Sequence, residues 1–136
     1  MRRLLAISLT VLCLNATAAS AKLPSSVDEF IEALERTVTS SQPFFQFDKI
    51  VDPKRLYEET PSKIRDTLRN QFRNEDAKFD VLYRSKDSDA AETVIGAVWA
   101  GDKYVFLAFV LHKRPDGWLP ISISMRGSYE KIMHYR

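Results

Sequence analysis

Apolar positions along this chain change period near its middle, from every third or fourth residue to every second. Val27, Phe30, Ile31, Leu34 and Val38 recur at the spacing of one helix face, while Asp28, Glu29, Glu32 and Glu35 make the other face acidic. Ser26-Val27-Asp28-Glu29 has the form of a capping box, so the spacing predicts a helix from Ser26 to Ser40, ending before Pro43. Asp52-Pro53 and Thr60-Pro61 each set a capping side chain before a proline suited to the first helical position. They predict a short helix over Pro53 to Glu59 and a longer one from Pro61 to about Arg73, with Ile64, Leu68 and Phe72 facing inward.

Beyond Ala77 the period becomes two. Lys78 to Arg84 alternates, with Phe79, Val81 and Tyr83 on one face and Asp80, Leu82 and Arg84 on the other, which predicts a strand. Thr93 to Arg126 then holds three apolar runs joined by two turn signals, the pattern of a three-strand antiparallel meander. Gly101-Asp102 suits a type II′ hairpin, and Arg114-Pro115-Asp116-Gly117 is a turn of the x-P-D-G kind. Lys103 to Lys113 is apolar on both faces and is expected to be a central strand covered on both sides. Pro120 cannot donate to a ladder, so the strand from Trp118 to Arg126 carries a bulge or lies at an edge there.

Two stretches are less determined. Pro43 to Val51 packs three phenylalanines and two aliphatics into nine residues. It reads either as a loop or short strand plugging one end of the core, or as the aromatic lining of a ligand pocket. Ser128 to Arg136 suits a short helix or a last strand. The fold class is α+β: N-terminal helices packed on a curved antiparallel meander sheet, in one domain spanning 22–136.

The order of these elements, with Asp116-Gly117-Trp118 opening a late strand and Ile121 following, resembles the nuclear-transport-factor-2-like (SnoaL/ketosteroid-isomerase-type) cone fold. The resembling pieces are the helices Ser26 to Ser40 and Pro61 to Arg73 and that motif. A cystatin-like helix-on-sheet fold is the nearest rival. The resemblance implies a small apolar ligand held in the cone and, in some members, proton transfer by an Asp or His.

The N-terminus changes the picture of charge and compartment. Arg2-Arg3, an apolar run from Leu4 to Leu14 and Ala19-Ser20-Ala21 have the form of a secretory signal peptide, residues 1–21, with cleavage expected after Ala21. The run is shorter than the roughly 20 residues a membrane span needs. The lone Cys13 would leave with it, so the mature chain has no disulfide and no thiolate chemistry. A cysteine-free exported domain fits a periplasm; periplasmic or secreted localisation follows. Loss of Arg2 and Arg3 also brings the 20 Lys and Arg down to balance the 18 Asp and Glu. A neutral mature chain offers no electrostatic basis for nucleic acid as a partner.

The candidate chemistry is sparse. Phe44, Phe45 and Phe47, with Trp99 and Tyr104, are candidate ligand-lining aromatics. Arg65, Arg69 and Arg73 stand four apart and form a basic ridge able to hold an anionic ligand or an acidic partner, or simply to face solvent. Asp80 and His112 are the candidate general acid–base residues, and Asp80 has Arg84 near it as an ion-pair partner. Neither a metal-ligand spacing nor a glycine-rich nucleotide cradle occurs, so no cofactor or metal is expected. Two functions remain: an exported, non-catalytic protein binding a small apolar ligand or an envelope protein, and a small cone-fold isomerase or dehydratase using Asp80 or His112.

Overall fold

The computed structural model describes residues 22–44, 47–51, 60–134 and 136. The expected signal segment, the helix expected over Pro53–Glu59, and Phe45 lie outside the described residues. Helix α1 runs Val27–Thr39, α2 Phe47–Ile50 and α3 Thr60–Gln71. Strands β1 Lys78–Ser88, β2 Ala91–Ala100, β3 Lys103–Arg114 and β4 Gly117–Arg126 follow, then α4 Tyr129–Met133. The sheet has the order β1-β2-β3-β4 with every pair antiparallel, an open meander whose edges are β1 and β4. The protein is thus α+β, with most of its helices ahead of the sheet.

The start of α1 follows its sequence signature with one displacement. The Ser26 hydroxyl accepts from the Glu29 amide at 3.1 Å. Glu29 reaches back one residue further than a capping box requires, accepting from both the hydroxyl (2.7 Å) and the amide (2.6 Å) of Ser25. These bonds favour the charged carboxylate and hold its pKa below the ordinary glutamate value.

One side of the sheet carries the main core. Val94 and Val98 of β2, Leu107, Phe109 and Leu111 of β3, and Trp118 and Ile123 of β4 meet Phe30, Leu34 and Val38 of α1, Phe47 of α2, and Ile64 and Leu68 of α3. Phe30 stands edge-on to Phe109 with ring centroids 5.1 Å apart, the favoured geometry for an aromatic pair. On the other side α4 sets Ile132 over Ile95 and Ala108, with Tyr83, Phe106 and Met133 around it. The two-sided cover expected for β3 is therefore present along its middle. It gives out toward Tyr104, which is 48% exposed.

Two expectations are corrected. Phe47–Ile50 forms a short helix rather than a loop or strand. In β1 the alternation does not run through: the register shifts between Val81↔Gly96 and Tyr83↔Ile95, leaving Leu82 as an extra residue. A bulge of one residue exchanges the faces of the residues after it, here as far as a second register shift between Lys86 and Ser88. Tyr83 accordingly joins Ile95 beneath α4, and Arg84 comes to the helix side. There it bonds Asp28 of α1 at 2.5 Å and Glu92 of β2 at 2.9 Å, and these carboxylates, Glu92 foremost, raise its pKa further.

The turns behave as their residues require. Gly101 adopts φ 61°, the sign a type II′ turn needs at that position, between the paired residues Ala100 and Lys103. Pro120 sits in an edge strand beside a register shift that leaves Ile121 unpaired. Gly117 adopts φ 135°, and a Cβ there would lie 2.6 Å from the Pro24 carbonyl oxygen and 2.8 Å from the Leu23 Cβ. That close approach lets Trp118 donate its amide to Pro24 at 2.8 Å and ties the start of the domain to β4.

These contacts give two expected outcomes. Gly101→Ala, with open space around it, should lose about 1–2 kcal/mol from its left-handed backbone alone. Gly117→Ala should lose distinctly more because backbone and Leu23–Pro24 must both move; urea unfolding of the two variants compares them. The Glu29 carboxylate contributes stability above the unfolded glutamate pKa near 4.3, and that contribution disappears as pH falls through the lower folded value. Glu29→Gln should therefore lower Tm at neutral pH and converge with the parent in acid, as a pH series of thermal melts would record.

Candidate functional site

A cleft of about 640 Å³ opens between the Gln42–Phe44 turn and the C-terminal half of α3. Arg69, Asn70, Arg73 and Asn74 line it along α3 and the turn that follows; Asp66 and Gln42 stand at its rim, and Phe44 and Phe72 form its floor. Both phenylalanines are almost fully buried, with ring centroids 6.1 Å apart. The cleft therefore presents polar groups over an aromatic base. Its size is that of sites for small organic ligands, roughly 300–1,000 Å³.

The local sequence explains how these groups converge. Residues three and four apart share one helix face, so Asp66, Arg69, Asn70 and Arg73 project along one side of α3 while Ile64, Leu68 and Phe72 turn into the core. The helix ends at Gln71, and Asn74 takes φ 61°, a conformation asparagine tolerates better than most residues. On the opposite wall Phe44 takes φ 65°. An aromatic residue pays roughly 1–2 kcal/mol there. Complete burial of its ring offsets that, as do backbone bonds from the Phe44 amide to Thr37 (3.0 Å) and from the Phe47 amide to the Phe44 carbonyl (3.1 Å). The two non-glycine residues with positive φ among those described thus both line this cleft.

Electrostatically the cleft is basic. Arg69 and Arg73 are exposed, and neither makes an ion pair or hydrogen bond with another described residue. Asp66, the one acid of the lining, accepts from Arg65 Nε at 2.9 Å. The amides of Asn70, Asn74 and Gln42 add donors whose orientation does not depend on pH. Two guanidinium forks one helical turn apart, with neutral donors between them, suit a carboxylate or phosphate group.

The remaining candidates are dispersed. Of the arginine ridge, Arg69 and Arg73 enter the cleft, whereas Arg65 pairs with Asp66. Phe47 is buried in the core beneath the helices. Trp99 and Tyr104 lie across the sheet from Phe44, their ring centroids 6.2 Å apart, in a row that continues through Phe106 to Tyr129. The five aromatics considered as one lining are thus not brought together: residues on opposite faces of a sheet cannot line a common pocket. Asp80 is exposed on β1 and accepts from Trp99 Nε1 at 2.6 Å. His112 lies half-buried near the far end of β3, about 20 Å from Asp80 along the strand direction. The two cannot act on one small substrate.

Gln42, Asn70 and Asn74 escaped the sequence reading. The signal present was the repeated Arg-Asn pair, Arg69-Asn70 and Arg73-Asn74, which at helical spacing places both kinds of donor on one side. Among the described residues no helix is long and apolar enough to cross a membrane. Comparison with known protein families and with characterised proteins finds no match.

The backbone at Asn74 can be checked directly. Asn74→Gly should leave stability within about 0.5 kcal/mol of the parent, whereas Asn74→Ala should lose about 1 kcal/mol. Chemical denaturation measures both, and equal losses would show that the asparagine side chain, rather than its backbone, matters there.

Proposed function

We propose that this is an exported, non-catalytic binding protein of the cell envelope, holding an anionic group of its ligand or partner on Arg69 and Arg73. The observation that carries the reading is that these two arginines line one cleft and neither is committed to an ion pair among the described residues. Structural arginines are usually engaged; a pair left open over an aromatic floor is arranged for something that arrives. The left-handed backbone at Phe44 and Asn74 supports the same place, since such conformations cluster at ligand sites.

The order of helices before meander supports reading the chain with the cone-fold resemblance. The side of the sheet that would face a cone's ligand is occupied here by Phe30, Leu107 and Phe109, each 0–1% exposed. The filled sheet face favours a position for the ligand at the end of the helical layer. Its recognition is ionic rather than chiefly apolar, because Phe44 and Phe72 are almost wholly covered.

Titrating the exported protein with inorganic phosphate and with succinate, followed by amide NMR, tests this. Shifts should centre on Arg69, Arg73 and Asn74 and weaken with added salt. Arg69→Glu with Arg73→Glu should abolish them while moving Tm by no more than a surface substitution does, about 0.5 kcal/mol in stability. A large loss of stability instead would make the ridge structural. Intact mass should place the mature N-terminus at Lys22.

A further inference from the structure

A second surface, away from the cleft, lies where α1 runs beside the outer edge of β1. Contacts at both ends show that the two elements are antiparallel: Asp28 of α1 bonds Arg84 of β1, while Glu32, Glu35, Arg36 and Thr39 line a groove with Lys78, Phe79 and Asp80. The groove measures about 530 Å³. Asp28, Glu32, Glu35 and Thr39 form one stripe of α1 by helical spacing, and three of the four are acidic. No described strand pairs with the outer edge of β1, so every second residue there presents an unpaired N–H and C=O.

Natural sheets protect such edges with charges and bulges. β1 does so beyond Val81, with its bulge at Leu82 and the Lys86–Asp89 pair. Before the bulge, Lys78 to Val81 pairs in regular register with Trp99 to Gly96, and no described strand pairs with its outer edge. Val81 shares the helix side with Phe79 and is 39% exposed, with Leu82 beside it at 42%. The groove is lined on the strand by Lys78, Phe79 and Asp80 and on the helix by Glu32, Glu35, Arg36 and Thr39, with exposed Val81 next along the strand.

We infer that this groove binds an extended peptide segment of a partner protein by strand addition to β1, with lysine or arginine at alternate positions directed toward α1. Charge selects the sign. The groove lining holds three carboxylates (Glu32, Glu35, Asp80) and two cations (Arg36, Lys78), and Lys78 is drawn over the Trp99 ring while Asp80 accepts from Trp99 Nε1. Glu32 is joined to Arg36 only by an exposed contact of 3.6 Å, and Glu35 makes no ion pair with another described residue. A long basic side chain satisfies both walls, laying its methylenes on Val81 and its charge at Glu35. Backbone hydrogen bonds supply affinity and the alternating side chains supply selection, the usual division in strand addition.

The probe is a blocked hexapeptide, acetyl-Lys-Val-Lys-Val-Lys-Val-amide, titrated into the exported protein and followed by amide NMR. Shifts are expected at Lys78 to Val81 and at Glu32, Glu35 and Thr39, and not at Arg69 or Arg73. Glu35→Lys should weaken binding about fivefold with unchanged folding, the size of one partly exposed charge contact. The same peptide N-methylated at alternate residues, which removes its ladder donors, should not bind. No binding by the parent peptide, equal binding by the N-methylated form, equal binding by a glutamate-for-lysine peptide, or shifts elsewhere would each overturn the inference. The outcome is independent of the anion cleft, whose own titration uses different residues.

Discussion

The contact between Phe30 and Phe109 is where the two halves of this protein are joined. Phe109 occupies the middle of the central strand β3, and Phe30 the middle of the buried stripe of α1, both with no exposed surface. Because side chains alternate along a strand, placing Phe109 toward α1 also places Val105, Leu107 and Leu111 there. The rest of the helical layer then has a surface to cover, and α3 completes it through Ile64, Leu68 and Phe72. Burial of this one face is the main source of stability available to a domain of this size without disulfides.

That constraint also decides where a ligand can go. With the helix side of the sheet filled, one accessible concavity lies between α1 and β1 and another at the end of the layer, where α3 runs out and the chain after α1 turns back. The turn is made by Phe44 in a left-handed conformation, held because its ring is needed in the core. The end of α3 is made by Asn74 in a similar conformation. The polar side chains of the last turns of α3 are left lining the space between. The cleft is in this sense a product of core packing, and Arg69 and Arg73 determine what it is suited to hold.

The bulge at Leu82 has consequences at both faces of the sheet. By exchanging the sides of Tyr83 and Arg84 it supplies an aromatic to the small cluster under α4 and a cation to the carboxylates of α1 and β2. It also divides the β1 edge into a regular stretch before it and a charged, irregular stretch after it. The same extra residue therefore anchors α1 over the sheet and limits how much of the edge is open to another strand.

Short-range physics made much of this architecture legible. The helix of Val27–Thr39, the strands from β2 to β4, the Gly101 turn and the irregularity at Pro120 follow from spacing, caps and the conformational limits of glycine and proline, all of which act within a few residues. The arginine pair was likewise visible as a four-residue repeat. What required the tertiary structure was anything set by contacts distant in the chain. The alternation of Lys78 to Arg84 contains no sign of its bulge, because the partners it serves, Ile95 for Tyr83 and Asp28 for Arg84, are distant in the chain and on opposite faces of the sheet. Phe44 and Trp99 look alike as aromatics in sequence and are separated by the thickness of a sheet. Only folding decides which face each side chain takes, and hence which candidates can meet one ligand.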